Sequence, residues 1–350
     1  MRVLYGTQGT GNGHLSRTQA IVPLLREAGV EIELIISGTE SEGLKRGVPE
    51  LQPYRAFHDL SYVRHEGRVD LGRSLEIFKP LELAEDFAEI QGEYDLVISD
   101  FEPLTAWWGL SHEVTVVGIA HNCAFQGRAP RPLVGDPLIE AVFHYYAPAD
   151  VPLGSHWQRT SETVIPPIVR AEVLNAEVED RGHVLVYLPS FSDATLDGAF
   201  GDAELAPFEF IAYPKNSKHD VRANNLTIKD FSREGFREDL RTARAVITSA
   251  GFTLLSECLH LGKPLYVIPE AGQYEQTCNG EALKRWNLGA VATNLKPRDV
   301  ANWLEARRML QKRWPDVAAA FVEWVAGGRE ESAADFSARL WEETRKLAAD

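Results

Sequence analysis

The 350-residue chain has few cysteines, no excess of positive charge and no long apolar run, and each shortage excludes a class of protein. Cys123, Cys258 and Cys278 lack the spacing of a metal site, so reduced thiols in the cytoplasm are expected. The net charge of −15 argues against a nucleic-acid-binding surface, because phosphate contacts need clustered lysine and arginine. No apolar run approaches the ~18 residues of a membrane span. Strand-like residues follow Met1 directly, so no signal peptide is expected.

Two further motifs are missing. The glycine-rich loop of residues 6–14 is not a GxGxxG fingerprint, and no acidic residue ends the next strand pattern, residues 31–36. Because a dinucleotide ribose needs that acid, an NAD-dependent dehydrogenase is disfavoured. The chain also has no paired aspartates of the DxD type and no His or Cys ligand spacing, so no required metal ion is expected.

What the chain does have is the composition of a soluble globular protein, with 44% hydrophobic and 25% charged residues. Its length is enough for two domains that each bury a core. Two adjacent prolines in residues 164–170 predict a hinge, because a fresh strand pattern begins soon after, at residue 184.

The most informative stretch is residues 245–289. A β-branched run leads through the small residues Ser249, Ala250 and Gly251 into a helical pattern, which predicts a strand, a tight turn and a helix start. The first N–H groups of a helix and its macrodipole favour an anion, so a diphosphate can dock at this turn. About one turn inside the helix, Glu257 can accept two hydrogen bonds from a ribose. After the next strand, Glu275 and the adjacent amide Gln276 suit the hydroxyls of a sugar.

The second informative stretch opens the chain. Four glycines in residues 6–13 let the backbone turn tightly and let another molecule approach, and His14 follows them at the start of a helix. An imidazole there can act as a base near neutral pH, or it can be a capping or packing side chain. Asp100 ends another predicted strand, at the sheet edge where ligands bind. It can orient His14, take the proton itself, or cap the following helix, and the sequence leaves these alternatives open.

These stretches, together with the segment Asp100-Phe101-Glu102-Pro103, resemble GT-B glycosyltransferases, in particular the lipid II-forming N-acetylglucosaminyltransferase and its archaeal and bacterial relatives of the "GNGH" type. The resemblance implies an α/β fold of two Rossmann-like domains facing across a cleft. It implies an acceptor-binding domain of residues 1–165, completed by a C-terminal helix at 331–350, and a nucleotide-sugar-binding domain of residues 166–330.

The resemblance also assigns roles. It places His14 beside the reacting atoms, and Asp100, at the end of its strand, is the second candidate catalytic residue. The implied donor-binding residues are Gly11 and Gly13 in the glycine loop, Phe231 and Ser232 at the base, Ser249, Gly251 and Thr253 at the diphosphate, Glu257 at the ribose, and Glu275 and Gln276 at the hexose.

We therefore expect a cytoplasmic glycosyltransferase that moves a hexosyl group from a nucleoside diphosphate sugar, a UDP-sugar, to an acceptor hydroxyl. No cofactor or metal is expected beyond the donor itself, since helix dipoles and hydroxyls can stabilise the leaving diphosphate. The acceptor is a glycan, a glycolipid or a small molecule, and residues 38–73 are the expected acceptor-side loop region. No nucleic acid partner is expected, and peripheral contact with a membrane stays open.

Two other classes of function fit the same pattern. Nucleotide-sugar 2-epimerases share the two-domain fold, and they need several acids as proton carriers, a role open to Asp100, Glu102 and Glu275. A non-catalytic sugar-nucleotide binding protein would bind the donor normally, and replacing His14 would change nothing. Incubating a nucleotide sugar without acceptor distinguishes the enzymes, because only an epimerase accumulates an epimer.

Overall fold

A computed structural model of the chain describes residues 1–9, 12–38, 48–58, 63–65, 68–70, 79–126, 129–130, 137–214 and 220–349. The chain divides into two compact units. Unit 1 comprises Met1–Ala129, Leu133–Ala171 and Trp314–Asp350, and unit 2 comprises Pro130–Pro132 and Glu172–Arg313.

The strands, in chain order, are β1 Arg2–Gln8, β2 Glu31–Ser37, β3 Arg55–Phe57, β4 Val63–His65, β5 Arg68–Asp70, β6 Leu96–Asp100, β7 Val116–Ala120, β8 Val151–Ser155, β9 Val164–Ile165, β10 His183–Tyr187, β11 Glu209–Ala212, β12 Val221–Ala223, β13 Leu226–Ile228, β14 Ala245–Thr248, β15 Leu265–Val267 and β16 Ala290–Val291. The α-helices are α1 Asn12–Glu27, α2 Pro80–Glu89, α3 Pro103–Ser111, α4 Pro137–Tyr145, α5 Ala171–Leu174, α6 Asp193–Phe200, α7 Arg233–Thr242, α8 Phe252–His260, α9 Tyr274–Arg285, α10 Pro297–Ala306, α11 Val317–Ala326 and α12 Ala333–Leu347. Short 3-10 turns span Pro49–Leu51, His121–Gln126 and Ala203–Leu205.

Unit 1 is built on a parallel sheet whose strand order is β3-β2-β1-β6-β7-β8-β9. Since β1 pairs with β2 on one side and with β6 on the other, the strand order reverses between β1 and β6. In open α/β sheets ligands bind at the carboxyl ends of strands, at such a reversal. A separate antiparallel hairpin joins β4 and β5.

The C-terminal helices complete unit 1. Apolar side chains of α11, among them Phe321 and Val325, share a core with Ile21 and Leu25 of α1. Helix α12 is tied to the sheet by the Trp341 indole, whose Nε1–H donates to the carbonyl of Val164 at 2.6 Å. The sequence expectation returns to the first domain at residue 331, whereas unit 1 resumes at Trp314 because α11 packs on α1.

Unit 2 repeats the architecture. Its strand order is β12-β13-β11-β10-β14-β15-β16, and every pairing is parallel except that of β12 with β13. Here the order reverses between β10 and β14. Two parallel-sheet, Rossmann-like α/β units confirm the predicted fold class.

The predicted hinge at residues 164–170 lies in unit 1, and the change to unit 2 comes at Ala171 and Glu172. None of the helices in the described part of the chain has the length and apolarity that crossing a membrane requires. The cytoplasmic location stays a prediction.

Candidate active site

The first cluster of predicted residues lies at the strand-order reversal of unit 1. Helix α1 begins just after β1, and β6 ends at Asp100, so the neighbouring strands bring His14 and Asp100 to the same sheet edge. The His14 Nδ1 lies 2.8 Å from Asp100 Oδ1. The Asp100 side chain is fully buried, whereas 16% of the His14 side chain is exposed. A half-buried imidazole on a buried carboxylate is an arrangement suited to general-base chemistry.

Arg17 holds the carboxylate from the other side and was not among the predicted site residues. Its Nε donates to Asp100 Oδ2 at 2.9 Å and its Nη2 to Asp100 Oδ1 at 2.6 Å, in the two-pronged geometry that guanidinium and carboxylate favour. Only 4% of the Arg17 side chain is exposed. The sequence signal for it was its position three residues after His14 on the same face of a helix.

The charge state of Asp100 follows from these contacts. Burial raises the pKa of Asp100, but the charges of Arg17 and His14 and the hydrogen bonds from both outweigh burial and hold the pKa below its usual value. Asp100 is therefore an ionised acceptor at neutral pH. This fits an orienting role for Asp100 better than the role of proton acceptor, because a carboxylate stabilised in this way is a weak base.

Glu102, and not Asp100, caps helix α3. Its carboxylate accepts from the backbone N–H of Leu104 at 3.0 Å and of Thr105 at 2.7 Å. Burial raises the pKa of Glu102, although the hydrogen bonds from Thr105 and Leu104 act against it. Gly6 is required opposite this cap, because a Cβ there would collide with the Thr105 hydroxyl and approach the Glu102 carboxylate to 2.8 Å.

The tautomer of His14 decides which nitrogen can act as the base. Its Nδ1 lies 2.8 Å both from Asp100 Oδ1 and from Arg17 Nη2. Since a guanidinium only donates, Nδ1 either carries a proton that it donates to Asp100 or accepts one from Arg17. The anionic Asp100 favours a proton on Nδ1, which leaves the lone pair of Nε2 free to take a proton.

An aromatic wall supports the imidazole. The Phe101 ring lies nearly parallel to that of His14, with an interplanar angle of 12° and centroids 6.4 Å apart. Phe101 in turn stacks on Tyr146 at 5.0 Å. The backbone of Phe101 has φ 55°, in the left-handed region that a bulky residue rarely adopts. Such strain concentrates at functional sites, where it fixes the direction of a neighbouring side chain.

The second cluster lies at the carboxyl edge of unit 2, between β14 and α8. Ser249 is buried, Thr253 is half-buried, and Gly251 is the N-cap of α8 without a side chain of its own to cap it. Gly251 has φ −70° and ψ 121°, an extended conformation that any residue adopts. A Cβ placed on Gly251 would meet no atom within 4 Å. Neither backbone strain nor packing therefore requires a glycine here, and its effect is to leave space open beside a helix start.

The remaining donor-side residues surround this turn. Glu257, on α8, is 4% exposed. Glu275 and Gln276 are half-buried in the first turn of α9. The amide oxygen of Gln276 accepts from the backbone N–H of Ala250 at 3.0 Å, so the structure brings the predicted hexose residue onto the predicted diphosphate turn.

The predicted base-binding residues lie farther along the same edge. Ser232 caps α7, and its hydroxyl accepts from the N–H of Gly235 at 3.2 Å. The Phe231 ring belongs to an aromatic group with Tyr213 and Phe236, with centroids 6.2 and 5.8 Å away. Gly13 lies in the first turn of α1.

Some predictions lie outside what the structure describes. Gly11 falls outside the described residues, as does half of the acceptor-side loop region of residues 38–73. Within the described ranges, no three or more His, Cys, Asp or Glu side chains are grouped to hold a metal ion. Independence from metal stays a prediction.

Comparisons with known proteins agree with this architecture. The model of the family described as glycosyl transferase family 1 matches residues 1–129 and 138–307.

The glycosyltransferase SnogD from Streptomyces nogalater has 18% identity and a TM-score of 0.51 over 98% of this chain and 99% of its own. MurG from Acinetobacter baumannii has 13% identity and a TM-score of 0.53 over 87% of this chain and 89% of its own. The glycosyltransferase VinC, in complex with dTDP, has 15% identity and a TM-score of 0.52 over the full length of both chains. No curated protein sequence matches the chain. At these identities, the likeness to solved structures shows the fold alone.

Proposed function

The chain belongs to glycosyl transferase family 1, and on this premise we propose that it transfers a hexosyl group from a UDP-sugar to an acceptor hydroxyl without a metal ion. As a glycosyltransferase it needs a donor site and a means of activating the acceptor. The observation that carries the proposal is His14 Nδ1 at 2.8 Å from a buried, ionised Asp100, with Nε2 left to act as the base. The acceptor hydroxyl belongs to a glycan, a glycolipid or a small molecule.

The donor binds at the edge of unit 2. Its diphosphate lies at the start of α8, against Ser249, Gly251 and Thr253, where the helix dipole and the first N–H groups favour an anion. The open space beside Gly251 supports this placement, because a phosphate can approach the backbone there without meeting a side chain. The glycosyltransferase VinC, a structural neighbour, was solved in complex with dTDP, so a nucleoside diphosphate is a suitable chemical class of ligand to test.

The rest of the donor is held by residues around that turn. The carboxylate of Glu257 accepts hydrogen bonds from the ribose hydroxyls, and Glu275 and Gln276 face the hexose. The base lies against Phe231 and the main chain at Ser232. The assignment of Gly11 and Gly13 to donor binding rests on the family resemblance alone.

In the reaction, His14 Nε2 takes the proton from the acceptor hydroxyl as its oxygen forms a bond to the anomeric carbon. The bond from that carbon to the diphosphate oxygen breaks, and the nucleoside diphosphate leaves with the electron pair. Asp100 stabilises the imidazolium that forms, while the start of α8 stabilises the charge on the leaving diphosphate. The proton on His14 then passes to solvent.

Transfer is better supported than epimerisation. Of the three acids open to a proton-carrier role, Glu102 is committed to the cap of α3 and Asp100 to Arg17. Glu275, the third of these acids, is half-buried in the first turn of α9. An epimerase needs several mobile proton carriers, and this edge of unit 1 has fixed ones.

The test replaces His14 by alanine and follows donor hydrolysis, in which water takes the place of the acceptor. UDP-N-acetylglucosamine, UDP-glucose and dTDP-glucose serve as donors, and the released nucleoside diphosphate is measured. We expect turnover to fall by ~10²–10⁴-fold, the usual contribution of general-base catalysis, with UDP affinity by calorimetry nearly unchanged. His144→Ala, at an exposed histidine of α4, is the matched control.

Three outcomes would contradict the proposal. An epimer accumulating without acceptor would assign the chain to the epimerases. Normal turnover in His14→Ala would remove the base role from this residue. Donor binding by the wild type with no hydrolysis and no transfer to any acceptor tried would indicate a binding protein.

A further inference from the structure

Both peptide groups of one buried residue in the donor turn are held by side chains from another helix. Ala250 has no exposed surface. Its N–H donates to Gln276 Oε1 at 3.0 Å, and its carbonyl accepts from Asn279 Nδ2 at 2.9 Å. Gln276 and Asn279 are three residues apart on α9, so they project from the same face of that helix.

The orientation of the Gln276 amide follows from its partners. Its oxygen also accepts from the backbone N–H of Glu270 at 2.9 Å, and its nitrogen donates to the Glu270 carboxylate at 3.3 Å. Two N–H donors at one end and a carboxylate at the other leave only one arrangement of oxygen and nitrogen. The oxygen therefore joins the loop after β14 to the loop after β15, and both of its lone pairs are in use.

Holding Ala250 has a geometric consequence for Gly251. The carbonyl of Ala250 and the N–H of Gly251 belong to the same trans peptide, so they point in opposite directions. Because Asn279 holds that carbonyl, the Gly251 N–H is directed away from α9. Gly251 is also the residue beside which the structure leaves open space.

We infer that Asn279 and Gln276 are positioning residues that clamp Ala250 and thereby aim the backbone N–H of Gly251 at the donor diphosphate. The inference rests on the proposed function, and it gives Gln276 a task beyond the hexose. Asn279 is the clearer member of the pair, because it is fully buried and cannot reach a ligand. Its influence on binding is therefore indirect, through the groups that it holds, among them the carbonyl of Ala250.

The experiment compares ligands with and without the diphosphate. Calorimetry, or ligand-observed NMR for weak binding, gives affinities for UDP and uridine and for dTDP and thymidine, with the full-length wild type, Asn279→Ala and Gln276→Met. We expect each variant to bind the diphosphates about tenfold more weakly, the effect of one lost hydrogen bond, and the nucleosides equally well. Glu281→Gln, at a part-exposed acid of α9 that pairs with Lys284, should change neither affinity.

The ratio of diphosphate affinity to nucleoside affinity distinguishes a positioning role from a purely structural one. A role confined to folding would weaken the nucleoside and the diphosphate alike, or neither, and would overturn the clamp. Loss of UDP-glucose affinity with normal UDP affinity in Gln276→Met would limit Gln276 to the hexose. If Asn279→Ala does not fold, the affinities of Gln276→Met, at a half-buried position, test the clamp on their own. A wild type that binds no nucleoside diphosphate would instead refute the proposed function, and the clamp with it.

Discussion

Replacing Arg17 by methionine tests whether the buried ion pair of Arg17 with Asp100 stabilises unit 1. The guanidinium and the Asp100 carboxylate are both buried, so solvent screens their interaction little. Removing one partner of such a pair leaves the other charge buried without compensation, which costs about 3–5 kcal/mol. Since a domain is stable by roughly 5–15 kcal/mol, the change should remove a large share of the stability of unit 1.

The pH dependence gives the sharper test. In the wild type the pKa of Asp100 is depressed on folding, so the pair stabilises the fold above the unfolded value of about 3.9 and is lost as the pH falls through the folded value. In Arg17→Met, burial acts without the opposing guanidinium, so the pKa of Asp100 should be higher than in the wild type. The penalty is then greatest at neutral pH and fades as the carboxylate takes up a proton.

The assay is urea unfolding followed by tryptophan fluorescence between pH 7.5 and pH 4.5, with Trp157 and Trp324 reporting on unit 1. The stability difference between wild type and Arg17→Met should shrink on acidification, by at most about 1.4 kcal/mol per pH unit. Arg339→Met is the control, because Arg339 pairs with Glu331 at 3.0 Å at the surface of the same unit and should cost under about 1 kcal/mol. A cost for Arg17→Met as small as that of the control, or one independent of pH, would refute the reasoning.

Two more substitutions test the donor side. Glu257→Ala should weaken UDP binding about thirtyfold to a hundredfold, since a carboxylate that accepts two ribose hydroxyls contributes roughly 2–3 kcal/mol, and an unchanged affinity by calorimetry would place the ribose elsewhere. Gly251→Asp should fold normally, because its Cβ has room and φ −70° suits any residue, yet its carboxylate should repel the diphosphate and reduce UDP affinity at least about a hundredfold. Normal UDP binding by a folded Gly251→Asp would show that the diphosphate does not occupy the open space.

Local patterns were enough to predict the elements and the edge at which the chemistry lies. A β-branched run followed by small residues and a 3.6-residue apolar period predicted β14, its turn and α8, and the structure has them at Ala245–Thr248 and Phe252–His260. Because parallel strands end at a common edge, a residue after β1 and another at the end of β6 were expected to lie together. His14 and Asp100 do so at hydrogen-bonding distance.

The residues that hold the site could not be predicted in the same way. In the sequence, Arg17 looks like any other basic residue of an amphipathic helix. Its partner Asp100 lies 83 positions later in the chain, at the end of β6. Asn279 donates to a backbone carbonyl 29 residues earlier in the chain, and a carbonyl has no signature in sequence. Long-range partners of this kind depend on strand order, which a single sequence does not determine.

The two clusters follow one physical arrangement, in which a buried residue holds a second residue that faces the ligand. Arg17 holds Asp100, which orients His14, and Asn279 holds Ala250, which directs Gly251. Fixing these groups costs free energy when the protein folds, so little reorganisation remains when charge develops in the reaction. The arrangement also predicts that buried and ligand-facing residues respond differently to substitution. Changes at buried Arg17 and Asn279 should lower stability and function together. Changes at half-buried His14, and at Gly251 beside its open space, should lower function and leave the fold nearly as stable as before.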